Sequence, residues 1–256
     1  MIDTHSHIYS EEFDADRDEV IQRAKEAGVQ KIILPNVDSK SLPLMLDLES
    51  KYPDYCYATI GLHPESVTGD FQKELAVVKA ELQRRKYIAI GEIGIDLYWD
   101  KTHQKEQTIA FRTQIEWALE FNLPVIIHVR NSHRETIDAL KPYANSGLKG
   151  VFHCFGGTLA EAEEIFNLGE FKLGIGGVVT FKNSGLAASL KQIPLEKLVL
   201  ETDSPYLTPM PFRGKRNESS YLAYVCCKLA EIYSLPPVEI DRITVNSSNN
   251  LFFVSN

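Results

Sequence analysis

The chain has 256 residues, 44% hydrophobic and 24% charged, a balance that suits a soluble globular protein long enough for one α/β barrel of about 250 residues. Its formal net charge of −8 argues against broad attachment to a polyanion, although a cation and a local basic patch could still hold a few phosphates. No apolar run approaches the ~20 residues of a membrane span, and no charged and apolar leader precedes His5, so neither an anchor nor a signal peptide is expected.

The first strand candidate, Ile2–Ile8, contains Asp3-Thr4-His5-Ser6-His7. Side chains alternate along a strand, so His5 and His7 share a face with Asp3. Two imidazoles side by side gain much from a shared cation, although a surface pair of histidines is the plainer reading of this motif alone. Further strand candidates follow at Lys31–Val37, Tyr55–Leu62, Ile88–Ile95, Pro124–Val129, Gly150–Phe155, Lys172–Gly176 and Lys197–Glu201. Most are continuous apolar runs, as parallel strands covered on both faces require.

Amphipathic stretches lie between them. Asp16–Ala27 carries Val20, Ile21, Ala24 and Ala27 on one face and stops at Gly28. Similar patterns occupy Ser41–Lys51, Asp70–Arg85, Gln104–Phe121, Glu135–Tyr143, Leu159–Leu168 and, more weakly, Leu186–Gln192. Ser220–Tyr233 reads as the closing helix, and Pro236–Phe253 as short helices packed outside. The expected fold is α/β, a single (β/α)8 TIM barrel over residues 1–256 with extra C-terminal helices.

Barrel active sites sit at the carboxyl ends of the strands. His5 and His7 close the first strand, His63 follows the third, and Glu92 lies in the fourth. His128 ends the fifth, His153 the sixth, and Asp203 follows the eighth. Singly, His128 and His153 could be hydrogen-bonded core histidines, and Asp203 could cap the turn at Ser204-Pro205. Glu92, among Ile90 and Ile93, destabilises its strand unless it is paired or metal-bound. Jointly the six point to metal. Four imidazoles and two carboxylates without cysteine suit Zn or Mn, whereas Mg prefers fewer nitrogens. Six ligands exceed the needs of one catalytic zinc, so two divalent ions bridged by Glu92 are expected, roughly 3.5–4 Å apart. One would take His5, His7, Glu92 and Asp203, the other Glu92, His128 and His153.

These motifs resemble the TatD-type metal-dependent deoxyribonucleases of the amidohydrolase-like barrel superfamily. The resemblance runs from Asp3-Thr4-His5-Ser6-His7 through Gly61-Leu62-His63-Pro64, Gly91-Glu92-Ile93-Gly94-Ile95-Asp96, His128-Val129-Arg130 and His153-Cys154-Phe155. It continues over Glu201-Thr202-Asp203-Ser204-Pro205-Tyr206-Leu207 and ends at Arg213-Gly214-Lys215-Arg216-Asn217-Glu218. It implies a barrel, two divalent metals (Zn, Mn or Mg) and hydrolysis of DNA, single-stranded or from 3′ ends. The metal ligands it implies are His5, His7, Glu92, His128, His153 and Asp203. The chain departs from the family at Asn131, Gly156 and Ser219, none of them a ligand.

The expected mechanism is in-line attack of a metal-activated water on phosphorus, with Glu92 bridging the ions and Asp203 as general base. His63 and Arg130 are candidates to bind phosphoryl oxygens. Arg213, Lys215, Arg216 and Asn217 form a basic loop that reads either as a phosphate-binding element or as a solvated turn. Tyr98 and Trp99 could stack on a base or pack as a lid. His103 and His133, at helix starts, read as surface residues.

Other chemistries lack their motifs. There is no Gly-X-Ser-X-Gly elbow, no phosphate loop, no dinucleotide fingerprint and no deaminase signature. The rivals are an amidase, lactonase or phosphotriesterase on the same scaffold and, in another class, a non-catalytic metal-binding scaffold protein. Cys56, Cys154, Cys226 and Cys227 show no framework spacing, so reduced thiols in a cytoplasmic protein are expected.

Overall fold

A computed structural model describes residues 1–253. Eight strands alternate with helices: β1 (Ile2–Asp3), α1 (Arg17–Glu26), β2 (Lys31–Leu34), α2 (Leu42–Lys51), β3 (Cys56–Ala58), α3 (Phe71–Arg84), β4 (Ile90–Asp96) and α4 (Gln104–Phe121). The order continues with β5 (Val125–Arg130), α5 (His133–Leu140), β6 (Lys149–Phe152), α6 (Leu159–Phe166), β7 (Glu170–Ile175), α7 (Leu186–Leu190) and β8 (Leu198–Leu200). Two helices, α8 (Leu222–Tyr233) and α9 (Pro237–Phe252), follow.

All strand pairs are parallel, in the orders β1-β2-β3 and β4-β5-β6-β7-β8. Parallel bridges from Ile60 to Ile90 and from Ser6 to Ser204 join the two runs, closing a (β/α)8 barrel. The closing seam is polar. Thr4 donates its amide to the Leu200 carbonyl at 3.0 Å, and the Ser6 and Ser204 hydroxyls share a hydrogen bond of 2.7 Å. Asp3 is turned into this seam and accepts from the Thr202 amide and hydroxyl at 2.9 and 2.7 Å.

Local sequence explains the helices. α1 buries Val20, Ile21 and Ala24 and stops where Gly28 takes φ +86°, a conformation that favours glycine. α6 begins at a Thr158/Glu161 capping box. Between the strands, β4 and β5 approach closely because Gly94 has no Cβ, which would lie 2.1 Å from the His128 carbonyl oxygen. Three expectations need adjusting. The first and third strands are much shorter than the apolar runs, ending at Asp3 and Ala58, with isolated parallel bridges at Ser6 and Ile60 continuing the pairing beyond them. α5 starts two residues earlier than expected and gives way to a 3-10 turn at Lys141–Tyr143. The tail is one 16-residue helix rather than short pieces. Among the described residues, no helix is long and apolar enough to cross a membrane.

Candidate metal centre

The carboxyl ends of the strands bring His5, His7, His63, Glu92, His128, His153 and Asp203 into one cluster. Glu92 lies at its centre, 2% exposed, and its two oxygens face different partners. Oε2 lies 3.1 Å from His5 Nε2 and 3.5 Å from His7 Nε2. Oε1 lies 2.8 Å from both His128 Nδ1 and His153 Nε2, and 3.3 Å from His63 Nε2. Asp203 Oδ1 completes the first set, 3.7 Å from both His5 Nε2 and His7 Nε2.

Hydrogen bonds behind the cluster set which ring nitrogen points inward. The Tyr9 hydroxyl donates to the Pro35 carbonyl at 2.6 Å, so at 2.9 Å it accepts from His7 Nδ1–H. The lone pair of His7 then lies on Nε2, facing Glu92 and Asp203. Asp96 accepts from His128 Nε2–H at 2.8 Å, which turns Nδ1 toward Glu92. His63 is opposite in sense. Its Nδ1 accepts the Glu65 amide at 3.1 Å, so Nε2 carries the hydrogen and points into the site as a donor.

Helix α4 supports two of these positions from outside the barrel. The Gln114 carboxamide accepts the Leu62 amide at 2.7 Å, fixing the chain just before His63. Gln107 accepts the Asp96 amide at 2.9 Å.

The electrostatics are those of a crowded, dry site. Burial disfavours charge on Glu92, but His153, His63 and His5 outweigh it and hold the carboxyl well below its usual range. Burial also opposes charge on His153, yet Glu92, through its charge and its hydrogen bond, lifts that imidazole to about 10. His5 is pushed well below its usual value, by burial first and then by His153. Asp203 is raised by burial, which His153 and His7 only partly offset.

The donor set fits divalent cations. His5 Nε2 and His7 Nε2 are 3.2 Å apart, as are His128 Nδ1 and His153 Nε2, so ring nitrogens converge around a buried carboxylate. Shared protons satisfy only some of these contacts, whereas a cation turns converging lone pairs into ligands. Binding would release the protons these imidazoles hold.

The outlying residues fall in several places. Arg130 is exposed at the rim, its guanidinium 4.0 Å from the Tyr98 ring centroid. Arg213 is exposed and stacks over Phe181, and Lys215 is exposed beside Phe212. The other two members of the basic loop are bonded within the chain. Arg216 grips Asp16 with two bonds, of 2.8 and 2.7 Å, and also donates to the Glu12 carbonyl. Asn217 is fully buried, and its amide donates to the Thr202 and Tyr206 carbonyls at 2.8 and 2.7 Å. In this structure both side chains brace the loop against the rest of the chain, which leaves fewer of their donors open to a ligand than at Arg213 and Lys215. His103 stands at the N-terminus of α4 without a side-chain capping bond, and His133 pairs with Glu164 on the surface.

Sequence reasoning missed Asp96, Tyr9 and Glu201. Asp96 was within reach, because it shares a strand face with Glu92 at a spacing of four. Tyr9 offered no such signal, since its role depends on Pro35, 26 residues away. Glu201 is fully buried, accepts the Cys154 amide at 2.5 Å, and is raised by burial to about 8. Its carboxylate occupies space left by Gly174, where a Cβ would lie 2.0 Å from Oε2.

A family model described as TatD related DNase matches residues 2–253. The chain belongs to the TatD family. It is 39% identical over 256 residues to a Bacillus subtilis protein named an uncharacterized metal-dependent hydrolase, YabD, covering 100% of both chains. It is 32% identical to the 3'-5' ssDNA/RNA exonuclease TatD of Erwinia tasmaniensis, over 98% of this chain and 99% of that one. The crystal structure of the TatD homologue YjjV from Escherichia coli superposes with a TM-score of 0.92 at 33% identity, covering 100% of this chain and 98% of that one. As a TatD-family protein the chain is a metal-dependent hydrolase, and the cluster around Glu92 contains groups able to hold metal.

Proposed function

We propose that the protein is a two-metal exonuclease that hydrolyses phosphodiester bonds of single-stranded DNA from the 3′ end. The observation that carries this reading is Glu92, whose two oxygens face separate nitrogen sets. His5, His7, Asp203 and Glu92 Oε2 would hold one divalent ion, and His128, His153 and Glu92 Oε1 the other, as Zn, Mn or Mg. Bound there, such ions supply Lewis-acid charge and acidify water. The name of the Erwinia relative supports nucleic acid as the substrate.

The chain's own groups do the rest. Asp203, whose Oδ1 faces His5 and His7, would accept the proton of the attacking water at its other carboxylate oxygen. His63 Nε2–H, held as a donor by the Glu65 amide, meets the developing charge on a phosphoryl oxygen. Arg130 binds phosphate at the rim, and Arg213 and Lys215 hold the strand further out. A cytoplasmic location agrees with the four unpaired cysteines. Residues 1–256 would then form one catalytic domain.

The test is metal analysis followed by incubation of the Mn- or Mg-loaded protein with end-labelled single-stranded DNA. Release of nucleotides from the 3′ end, lost in Glu92→Ala together with bound metal, is expected. No release alongside turnover of an amide, lactone or phosphotriester would move the protein to another hydrolase class. Unchanged activity in Glu92→Ala would remove the bridging role.

A further inference from the structure

The loop after β4 carries two large aromatic side chains into solvent, Tyr98 at 50% and Trp99 at 68% exposure. Such residues cost solubility unless something covers them or uses them. Their rings meet edge to face, 4.7 Å between centroids at 88°. The Arg130 guanidinium lies over both, 4.0 Å from Tyr98 and 5.2 Å from Trp99. Among the described residues the guanidinium makes no ion pair and no hydrogen bond, so its donors remain free around the edge of the stack.

This ledge is tied to the metal centre by a short path. The Tyr98 amide donates to Asp96 Oδ1 at 2.9 Å, and Asp96 Oδ2 holds His128 Nε2 at 2.8 Å. The Leu97 amide donates to the Arg130 carbonyl at 2.9 Å, locking the loop to the end of β5. An aromatic face beside a free guanidinium matches a nucleotide, with a flat base to stack and a phosphate to pair.

Resting on the nucleolytic reading above, we propose that Trp99, Tyr98 and Arg130 form a platform on which the unpaired base next to the scissile phosphate stacks. Stacking on Trp99 while Arg130 holds the phosphate needs a base free to turn out of a helix, a freedom that pairing to a complementary strand removes. The platform therefore selects single-stranded over duplex ends. Trp99 is the specificity-determining residue, with its exposed indole supplying the stacking surface.

The first experiment compares Trp99→Ala, Trp99→Phe and the wild type on a single-stranded oligonucleotide and on one whose terminal residues are abasic. For the wild type, removing the bases should raise KM on the order of tenfold to a hundredfold. Trp99→Ala should show that higher KM on both substrates, with kcat nearly unchanged, and Trp99→Phe should recover most of the difference. A Trp99→Ala KM within twofold of the wild type on the natural strand would overturn the platform. So would a wild type indifferent to abasic ends.

A second measurement does not depend on turnover. Trp99 and Trp117 are the two tryptophans, so Trp117→Phe leaves Trp99 as the only indole reporter. Titration with a phosphorothioate oligonucleotide should quench its fluorescence saturably, while the abasic version leaves it unchanged. Quenching without hydrolysis of any strand would remove the nuclease reading and keep the platform. Hydrolysis with identical titrations for the two strands would do the reverse.

Discussion

Asp96→Asn should weaken metal binding although it replaces a single atom. The carboxylate is 2% exposed and has two separate duties. Oδ1 accepts the Tyr98 amide at 2.9 Å, and Oδ2 accepts His128 Nε2–H at 2.8 Å. In the asparagine, the Tyr98 amide keeps the carbonyl oxygen in place and forces the NH2 group to face His128. Two donors then oppose each other. The imidazole relieves the conflict by moving its hydrogen to Nδ1, which faces Glu92 Oε1 at 2.8 Å. That hydrogen occupies the lone pair needed by a cation. Loss of a hydrogen bond behind a ligand typically costs 10–100-fold in metal affinity, so a loss of about 1.4–2.7 kcal/mol is expected at this site. Calorimetric titration of Mn into wild type and variant measures it, and nitrogen NMR of the metal-free protein reports the tautomer of His128. Affinity within twofold of the wild type, with His128 still protonated on Nε2, would refute the tautomer argument.

Two further outcomes concern the frame around the site. Asn217→Ala removes two buried amide bonds and leaves the Thr202 and Tyr206 carbonyls unpaired, so a loss of about 2–4 kcal/mol is expected in urea unfolding. A large rise in KM for DNA with unchanged stability would instead make Asn217 a substrate contact. Glu218 is held below its usual range: burial alone would raise it, but the two Arg23 bonds and the Ser220 hydroxyl outweigh burial. Its contribution to stability is therefore complete above the unfolded value of about 4.3 and is lost as pH falls through the lower folded value. The stability gap between wild type and Glu218→Gln should be widest near neutral pH and shrink below pH 4. A gap independent of pH would show that the ionised pair contributes nothing.

The parts of this protein readable from sequence are those in which chemistry and periodicity coincide. Glu92 was legible because a carboxylate in an apolar strand demands an explanation, and His128 and His153 because each ends such a strand. Asp96 obeys the same alternation, but as the last residue before a loop it reads as a turn residue. The basic loop was less legible for a different reason. Arg216 is paired with Asp16, 200 positions away, and no local pattern distinguishes a free guanidinium from a committed one. Tautomers are further removed still. His63 and His128 look alike as letters, yet the Glu65 amide makes one a donor and Asp96 makes the other an acceptor.

The polar seam between β1 and β8 also bears on how the protein is made. His5 and His7 are synthesised before Asp203 and before Ser204, whose bridge to Ser6, 198 positions earlier, aligns Asp203 with them. The cluster around Glu92 therefore cannot be complete until the segment after β8 has been made. On the proposed reading, a fragment truncated before β8 would keep both histidines and lack Asp203, the group assigned to take a proton from water.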